Sequence, residues 1–548
     1  PGCRCAQSSS QTGGRFRVTS MLLNFSPLRG PISFAHAAVR ARHERDTLVE
    51  RGRCVCLVTC SIHATEVGPT QYAPELIHDL VTRDDEAIQR ILNNVILLVI
   101  PCLNPGGLDL VADWYERTLG TPYEGSAPPE LYHPYAGHDN NRDWFMLTQE
   151  ENRATVEHVL NRWHPQVVFD LHQMQMNGPR FVLPPYVDPY DPNVDSIQIA
   201  EIDTLGTAVA AELTASGKPG VATSVIFDAF SPSRAYVHYH GGVRILAEAA
   251  SARIASPAEV RREFLAETRG FDPRLATHVH PIPWEGGVWR LRDIVDYLRL
   301  ATLALVDHAA RYRDRWVENF ARVQERAVTA GDPGAFLILP LSSQRDPGTT
   351  AELVDILLRL GVEVDQATEP FNADGVELPA ETFVIQVGQP AGRFAKTLLE
   401  IQHYPSQPLY PGGPPKPPYD ITSHTLPLQM GVDTIPVDGK LSICARRLNE
   451  APRARGGIDR GDGADTFLIG PESNSSARLV NRLLACGGEV SRFMQTVSMN
   501  DRRFPPGTYL VQGIDPVLID ETAGDCGLTV VGADAGDGLL RRTLQQPR

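Results

Sequence analysis

Two side chains able to bind one metal ion stand three residues apart in the stretch Ser61-Ile62-His63-Ala64-Thr65-Glu66. An imidazole nitrogen and a carboxylate oxygen are both ordinary zinc donors, and a short loop at a strand's end can turn both inward. His-x-x-Glu recurs by chance in a chain with 16 His, so its weight comes from what stands downstream. His172 ends the run Val167-Val168-Phe169-Asp170-Leu171-His172 and offers a third donor. Two His and one Glu, with the fourth position left to water, make a hydrolytic zinc arrangement, because the metal lowers the water's pKa and polarises a carbonyl. Glu248 lies in Leu246-Ala247-Glu248-Ala249-Ala250, where an ionised carboxylate is costly without a partner. Beside an activated water it would serve as general base and then as proton donor to a leaving amine. A structural salt bridge with Arg244 or Arg253 is its alternative reading. Arg142 carries a planar fork suited to a carboxylate, and Asn141 adds amide donors, so the two could anchor the free C-terminus of a peptide. A plain surface arginine is the alternative there.

The elements that must position these groups follow from local pattern. Residues 54–61 and 94–101 read as strands, with a helix over 69–82 between them, and this succession predicts a parallel sheet covered by helices. Asn104-Pro105-Gly106-Gly107 predicts a turn at the end of the second strand. The stretch 116–145 lacks a period and is dense in polar residues, including Arg117, His133, His138 and Asp139, which marks a functional loop. A helix over 148–162, the strand ending at His172, a helix near 195–215 and a strand over 243–248 follow. His63, Glu66, Asn104, His172 and Glu248 thus fall at or just past carboxyl ends of strands, the edge at which open parallel sheets bind ligands. His238 and His240 flank Tyr239 with no acid at ligand spacing, so they read as cleft or structural residues rather than metal ligands.

Composition sets the outer limits. At 548 residues the chain exceeds one core, and 42% hydrophobic with 21% charged residues is ordinary for a globular protein. A net charge of -15 and a pI near 5.5 argue against nucleic acid or an anionic membrane as partner. The longest apolar runs are strand-sized, so no membrane span is expected. Nine scattered Cys without a Cys-x-x-Cys pair indicate neither a disulfide scaffold nor a thiolate metal site. Cys54, Cys56 and Cys60 share one strand face and are expected to be buried. The chain opens at Pro1 without a charged-then-apolar pattern, so the native start is expected to be missing or removed, and the compartment is not legible.

Taken together, His63-x-x-Glu66, the Asn-Pro-x-Gly turn, Asn141-Arg142, the Asp-Leu-His172 strand end and the late Glu248 resemble the zinc carboxypeptidase family in order and rough spacing, over about residues 54–260. The resemblance implies a mixed α/β sheet of eight or so strands flanked by helices, one catalytic zinc, and cleavage of the last peptide bond of a peptide with a free C-terminus. Members of that family are often secreted. By position it assigns His63, Glu66 and His172 to the metal, Glu248 to catalysis, Asn141 and Arg142 to the substrate's terminal carboxylate, and Asp139 to orienting His63. It also implies an oxyanion arginine, for which Arg117 is the candidate, and a mobile tyrosine over the substrate, for which Tyr236 and Tyr239 are the candidates. Gly106 stands where the family's turn usually has Asp, and Gln173-Met174 where it usually has Ser-Tyr. A deacylase acting on N-acyl amino acids would use the same groups, and a catalytically silent module that captures peptide ends is a reading of another class.

Residues 1–30 are expected to be poorly ordered, Ala35 to Val49 to be helical, and 31–330 to form the catalytic domain, closed by one or two helices over 291–328. Asp332-Pro333-Gly334 marks a boundary. Residues 331–548 then carry an internal duplication: Leu353-Val354 recurs as Leu479-Val480 and Leu378-Pro379 as Phe504-Pro505, both 126 positions later. This predicts a second α/β region of two related units, about 334–405 and 464–530, joined by a Pro-rich connector. That connector, Tyr404 to Pro418, is either a plain spacer or a strap across the catalytic mouth.

Overall fold

The apolar run after Gly52 forms strand β1 (Cys54–Cys60), buried at every position, as a strand covered on both faces must be. In the computed structural model, residues 49–130, 133, 135–331, 333–420, 422–459, 464–499, 502–533 and 541–545 are described. The expected N-terminal segment 1–30, all but the end of the helix expected over 35–49, and Asp332 lie outside them.

From β1 the chain runs through helix α1 (Val67–Thr82), helix α2 (Glu86–Asn94) and strand β2 (Val95–Ile100) into helix α3 (Pro105–Thr118). Strands β3 (Val167–Met174) and β4 (Phe181–Leu183) precede helix α4 (Ser196–Ala215), strand β5 (Val221–Thr223) and strand β6 (Val243–Ala250). They form one six-stranded sheet in the order β2-β1-β3-β6-β4-β5. Neighbours run parallel except β4 against β6, so the sheet is mixed. Six strands stand where the resemblance implied eight or so. The turn expected at Asn104 is instead the start of α3: the Asn104 side chain accepts from Gly107 N at 3.0 Å and Pro105 takes the first helical position, where a missing N–H costs nothing.

The two faces of β1 serve different cores. Cys54, Cys56, Val58 and Cys60 point to the side covered by helix α5 (Leu291–Arg311). Its stripe Ile294, Leu298, Ala301, Leu305 and Ala309 is fully buried, the spacing of one helical face. Helix α6 (Arg313–Thr329) follows after a break at Tyr312. Val55 and Leu57 point the other way, into a layer shared with Phe336, Leu353, Phe383 and Phe394 of the C-terminal half. The sheet bearing the candidate residues and the region after it therefore share one apolar core.

That half holds two further sheets. The first orders its strands Thr434–Val437, Ala335–Ile338, Phe383–Gln386, Asp365–Ala367, Ala445–Arg447. The second runs Thr529–Ala533, Thr466–Ile469, Tyr509–Gln512, Glu489–Phe493, Arg541–Thr543, with Gly457–Asp459 added parallel at one edge. These five-strand sets have the same order in sequence and the same antiparallel sense throughout. Each has a helix after its first strand, Pro347–Arg359 and Asn474–Ala485, and a small hairpin in the middle.

One buried acid makes stability depend on pH away from the cleft. Glu201 on α4 accepts from Asn319 at 2.8 Å, and burial pushes its carboxyl up to about 7 from 4.5. A group whose folded pKa is raised favours the fold at low pH, and that stability is lost as pH rises through 7. Glu201→Gln keeps the acceptor without the charge. It should stabilise the protein by about 2 kcal/mol at pH 8 and flatten the fall in melting temperature between pH 5 and 8.

Candidate metal centre and cleft

Ser61 leaves β1 with φ of 51°, a left-handed conformation few side chains adopt. Its hydroxyl donates to the Glu66 carbonyl at 2.6 Å, and Glu66 N donates to the His63 carbonyl at 3.1 Å. These bonds fold 61–66 into a tight turn. Two fully buried amides, Asn104 at 3.2 Å and Asn140 at 2.8 Å, both donate to the Ile62 carbonyl. The backbone that carries His63 is thus held from the ends of two other segments.

The turn brings His63 Nδ1 to 2.7 Å from Glu66 Oε1 and His63 Nε2 to 2.9 Å from Asp139 Oδ1. From β3, His172 Nδ1 lies 3.0 Å from Glu66 Oε2 and its Nε2 3.1 Å from Asp170 Oδ2. Donor atoms of His63, Glu66 and His172 all lie within 4.8 Å of one another. Both rings therefore have the same arrangement: the inner nitrogen faces Glu66 and the outer one a second carboxylate. This donor set fits a divalent metal, because an outer carboxylate fixes the tautomer and leaves the inner nitrogen as the base.

The charges support one another. Burial alone would lower the His63 pKa, but Glu66 and Asp139 outweigh it and push the imidazole up to about 10. His172 rises to about 9 against the same burial, through Asp170 and Glu66. Burial works to raise the Glu66 and Asp139 carboxyls, yet the two imidazoles beside Glu66, and His63 with Arg142 beside Asp139, hold each down to about 2. Asp170 is held far below the ordinary carboxylate range despite burial, by His172 and Arg244, and Arg244 Nε donates to it at 2.8 Å. Thr59 adds a hydroxyl at 2.7 Å.

Glu248 stands directly beside His172 in the β3–β6 register. It is buried, and its Oε2 has no hydrogen-bond partner among the described residues. The structural alternative fails, since Arg244 is committed to Asp170 and Arg253 to the Glu124 carbonyl. Burial, with Glu66 adding to it and His172 opposing, pushes its carboxyl up to about 7. An acid poised near neutrality beside a metal-ligand cluster can exchange a proton with a reacting group.

The loop Asn140–Arg142 is a single 3-10 turn capped by Asp139. Asn141 turns inward rather than toward a substrate: Nδ2 lies 3.3 Å from His172 Nε2, and Oδ1 accepts from Trp144 at 3.0 Å. Arg142 already holds a carboxylate, that of Asp420 two residues past the connector, at 2.9 Å. Asp420 also pairs with Arg234 at 2.8 Å. Next to it, Tyr419 is pushed up to about 12 by burial, with Glu248 and Asp420 adding to the rise and Arg234 and Arg142 opposing it. The connector therefore reaches the cleft.

Three further expectations fail. Arg117 is exposed at the end of α3, bonds to the Asp113 carbonyl and lies over Trp114 of its own helix, so it joins no part of the cluster. Tyr236 and Tyr239 are buried and cannot swing over a substrate. The Tyr236 hydroxyl donates to Asn161 and to the Leu360 carbonyl, that of Tyr239 to Asp191 at 2.6 Å, and both rings pack on Phe394. Their aromatic surface joins the six-stranded sheet to the C-terminal half. His238 is buried and His240 half-buried, and desolvation holds both neutral, each pushed down to about 3. His133 is buried against Gln149, and His138 is exposed. Gln173 explains itself: it accepts from Gly68 N at 2.7 Å and ties β3 to the start of α1.

Residues not singled out in the sequence complete the site. Asp170 was legible in principle, two before His172 and so on the same strand face. Asn140, Arg234, Tyr419 and Asp420 carried no local signal.

Residues 37–176 match the family model described as zinc carboxypeptidase. The resemblance read from the motifs is borne out over that stretch, which contains His63, Glu66, Asp139, Asn141, Arg142 and His172 and ends before Glu248. Among solved structures the chain is similar to a metallo-carboxypeptidase from Burkholderia cenocepacia, at 14% identity and a TM-score of 0.30, covering 47% of this chain and 56% of that one. It is similar also to a metallo-carboxypeptidase from Pseudomonas aeruginosa in complex with (2-guanidinoethylmercapto)succinic acid, at 15% identity and a TM-score of 0.32, covering 48% and 59%. An aspartoacylase family protein from Mesorhizobium loti matches at 17% identity and a TM-score of 0.23, covering 36% and 52%. The chain thus spans little more than half the length of these structures. No curated protein matches it. No helix among the described residues is long and apolar enough to cross a membrane.

If Asp139 orients His63 for a metal, Asp139→Ala should weaken divalent-metal affinity about 10- to 100-fold. Competition with a chelator measures this, with circular dichroism as the check that the fold is kept.

Proposed function

We propose that the chain is a zinc-dependent peptidase that removes the last residue of peptides with a free C-terminus. One observation carries the reading: two imidazoles share Glu66 through their inner nitrogens, each braced by an outer carboxylate, beside Glu248, whose Oε2 has no hydrogen-bond partner among the described residues. His63, Glu66 and His172 would hold the zinc. When bound there, zinc lowers the pKa of water and polarises a carbonyl.

The remaining work falls to the chain itself. Glu248 takes a proton from the attacking water and returns it to the departing amine, a role its pKa near 7 suits at neutral pH. Asp139 and Asp170 keep the imidazoles in one tautomer. Asn141 braces His172 and the loop, and Arg142 takes the terminal carboxylate of the peptide. The engagement of Arg142 by an internal carboxylate supports its suitability for that task.

Glu248→Gln should lower kcat on a blocked dipeptide such as hippuryl-phenylalanine by about 10²- to 10⁴-fold with one zinc per chain retained. Full activity in that variant would end the proposal. Faster turnover of simple N-acyl amino acids than of the dipeptide would shift the reading to a deacylase.

A further inference from the structure

Asp420 places one oxygen on each of two arginines that come from different loops. Its Oδ1 lies 2.9 Å from Arg142 Nε and its Oδ2 2.8 Å from Arg234 Nε. The side chains of Asp420 and Arg234 are 9% and 5% exposed, so the pairing is shielded from water and from salt. Arg234 is held in turn by Asp228, at 3.0 Å from Nη2. Arg142 and Arg234 carry two positive charges, and Asp420 and Asp228 return two negative ones; Asp139, 3.6 Å from Arg142, is balanced by His63. With Asp420 in place the pair is neutralised, and a further carboxylate gains nothing there. With Asp420 withdrawn, one positive charge and two guanidinium forks face the cleft, a geometry that favours a carboxylate over a neutral group.

We propose that Arg234 is the second arm of the carboxylate subsite begun by Arg142, and that Asp420 fills this subsite as an internal competitor of the substrate's terminal carboxylate. The inference rests on the carboxypeptidase reading and adds to it a second recognition residue and an internal competitor for the subsite.

The segment that brings Asp420 is built to be tethered rather than fused to the cleft. Residues 404–418 include seven prolines, which stiffen the chain and limit the entropy to be regained on release. Its backbone bonds are largely its own: Lys416 N to the Gln407 carbonyl at 2.6 Å, Leu409 N to Pro414 at 3.0 Å, Gly413 N to Tyr410 at 2.8 Å. Leu409 and Tyr410 are exposed. It is docked at its end, where Arg269 donates to the Pro418 carbonyl at 3.2 Å and the Tyr419 ring lies 5.1 Å from the Arg234 guanidinium, 5.0 Å from that of Arg269, and edge-on to Phe227 at 5.3 Å. A tethered carboxylate competes at the high effective concentration set by its short link.

The test is calorimetric binding of N-acetyl-L-phenylalanine and, as the neutral control, its amide, to the zinc-loaded full chain. Asp420→Asn, which keeps size and shape, should tighten binding of the acid by about tenfold or more and leave the amide unchanged. Adding Arg234→Gln to Asp420→Asn should remove that gain. In the wild-type protein, saturating acid should speed backbone hydrogen exchange over 404–420, a readout that needs no substitution. Acid binding that is unchanged or weaker in Asp420→Asn, a gain that survives loss of Arg234, or exchange over 404–420 that stays level or slows would overturn the proposal. Binding is read without turnover, so a chain that failed to hydrolyse peptides would refute the function without deciding this result.

Discussion

Six ionisable side chains share a poorly exposed space at the carboxyl edge of β1 and β3, and the structure depends on their charges cancelling. Glu66, Asp139 and Asp170 bring three negative charges, and protonated His63, His172 and Arg244 bring three positive ones. Removing any member leaves an uncompensated charge in a poorly solvated place. A dication in place of the two imidazole protons leaves the balance unchanged, so the pocket is suited to a metal without rearrangement of the acids around it.

Holding that balance is a task for the backbone. Parallel pairing aligns Thr59 with Asp170, and His172 with Glu248. A one-residue slip of register would send each to the opposite face. The Ile62 carbonyl, bonded by Asn104 and Asn140, fixes the turn at the height of the strand ends. Sheet pairing thus sets His172 and Glu248, while loop amides set His63 and Glu66, and the cluster exists where the two agree.

The C-terminal half is part of this arrangement. Phe394 packs against Tyr236 and Tyr239, whose segment leads directly into β6 and so to Glu248. On the other side of the cleft, Tyr419 and Asp420 sit among Arg142, Arg234 and Arg269. The same region supports β6 from behind and supplies groups to the cleft in front.

The order of strands and helices and the residues of the candidate centre, His63, Glu66, His172 and Glu248, were legible in the primary chain, because each depends on local pattern: an apolar run, a polar residue at its end, a charge where none should be buried. The paired order of the two later sheets was foreshadowed by the 126-position recurrence. Partner choice was not legible. Arg117 and the tyrosines at 236 and 239 had the right chemistry at tolerable spacing, and only the packed structure shows one facing solvent and the others buried against Phe394. The match of Asp420 to Arg142 spans 278 residues, a distance over which composition and periodicity hold no information. Periodicity reports which face of an element is apolar; which distant charge lies opposite it is settled when the elements pack.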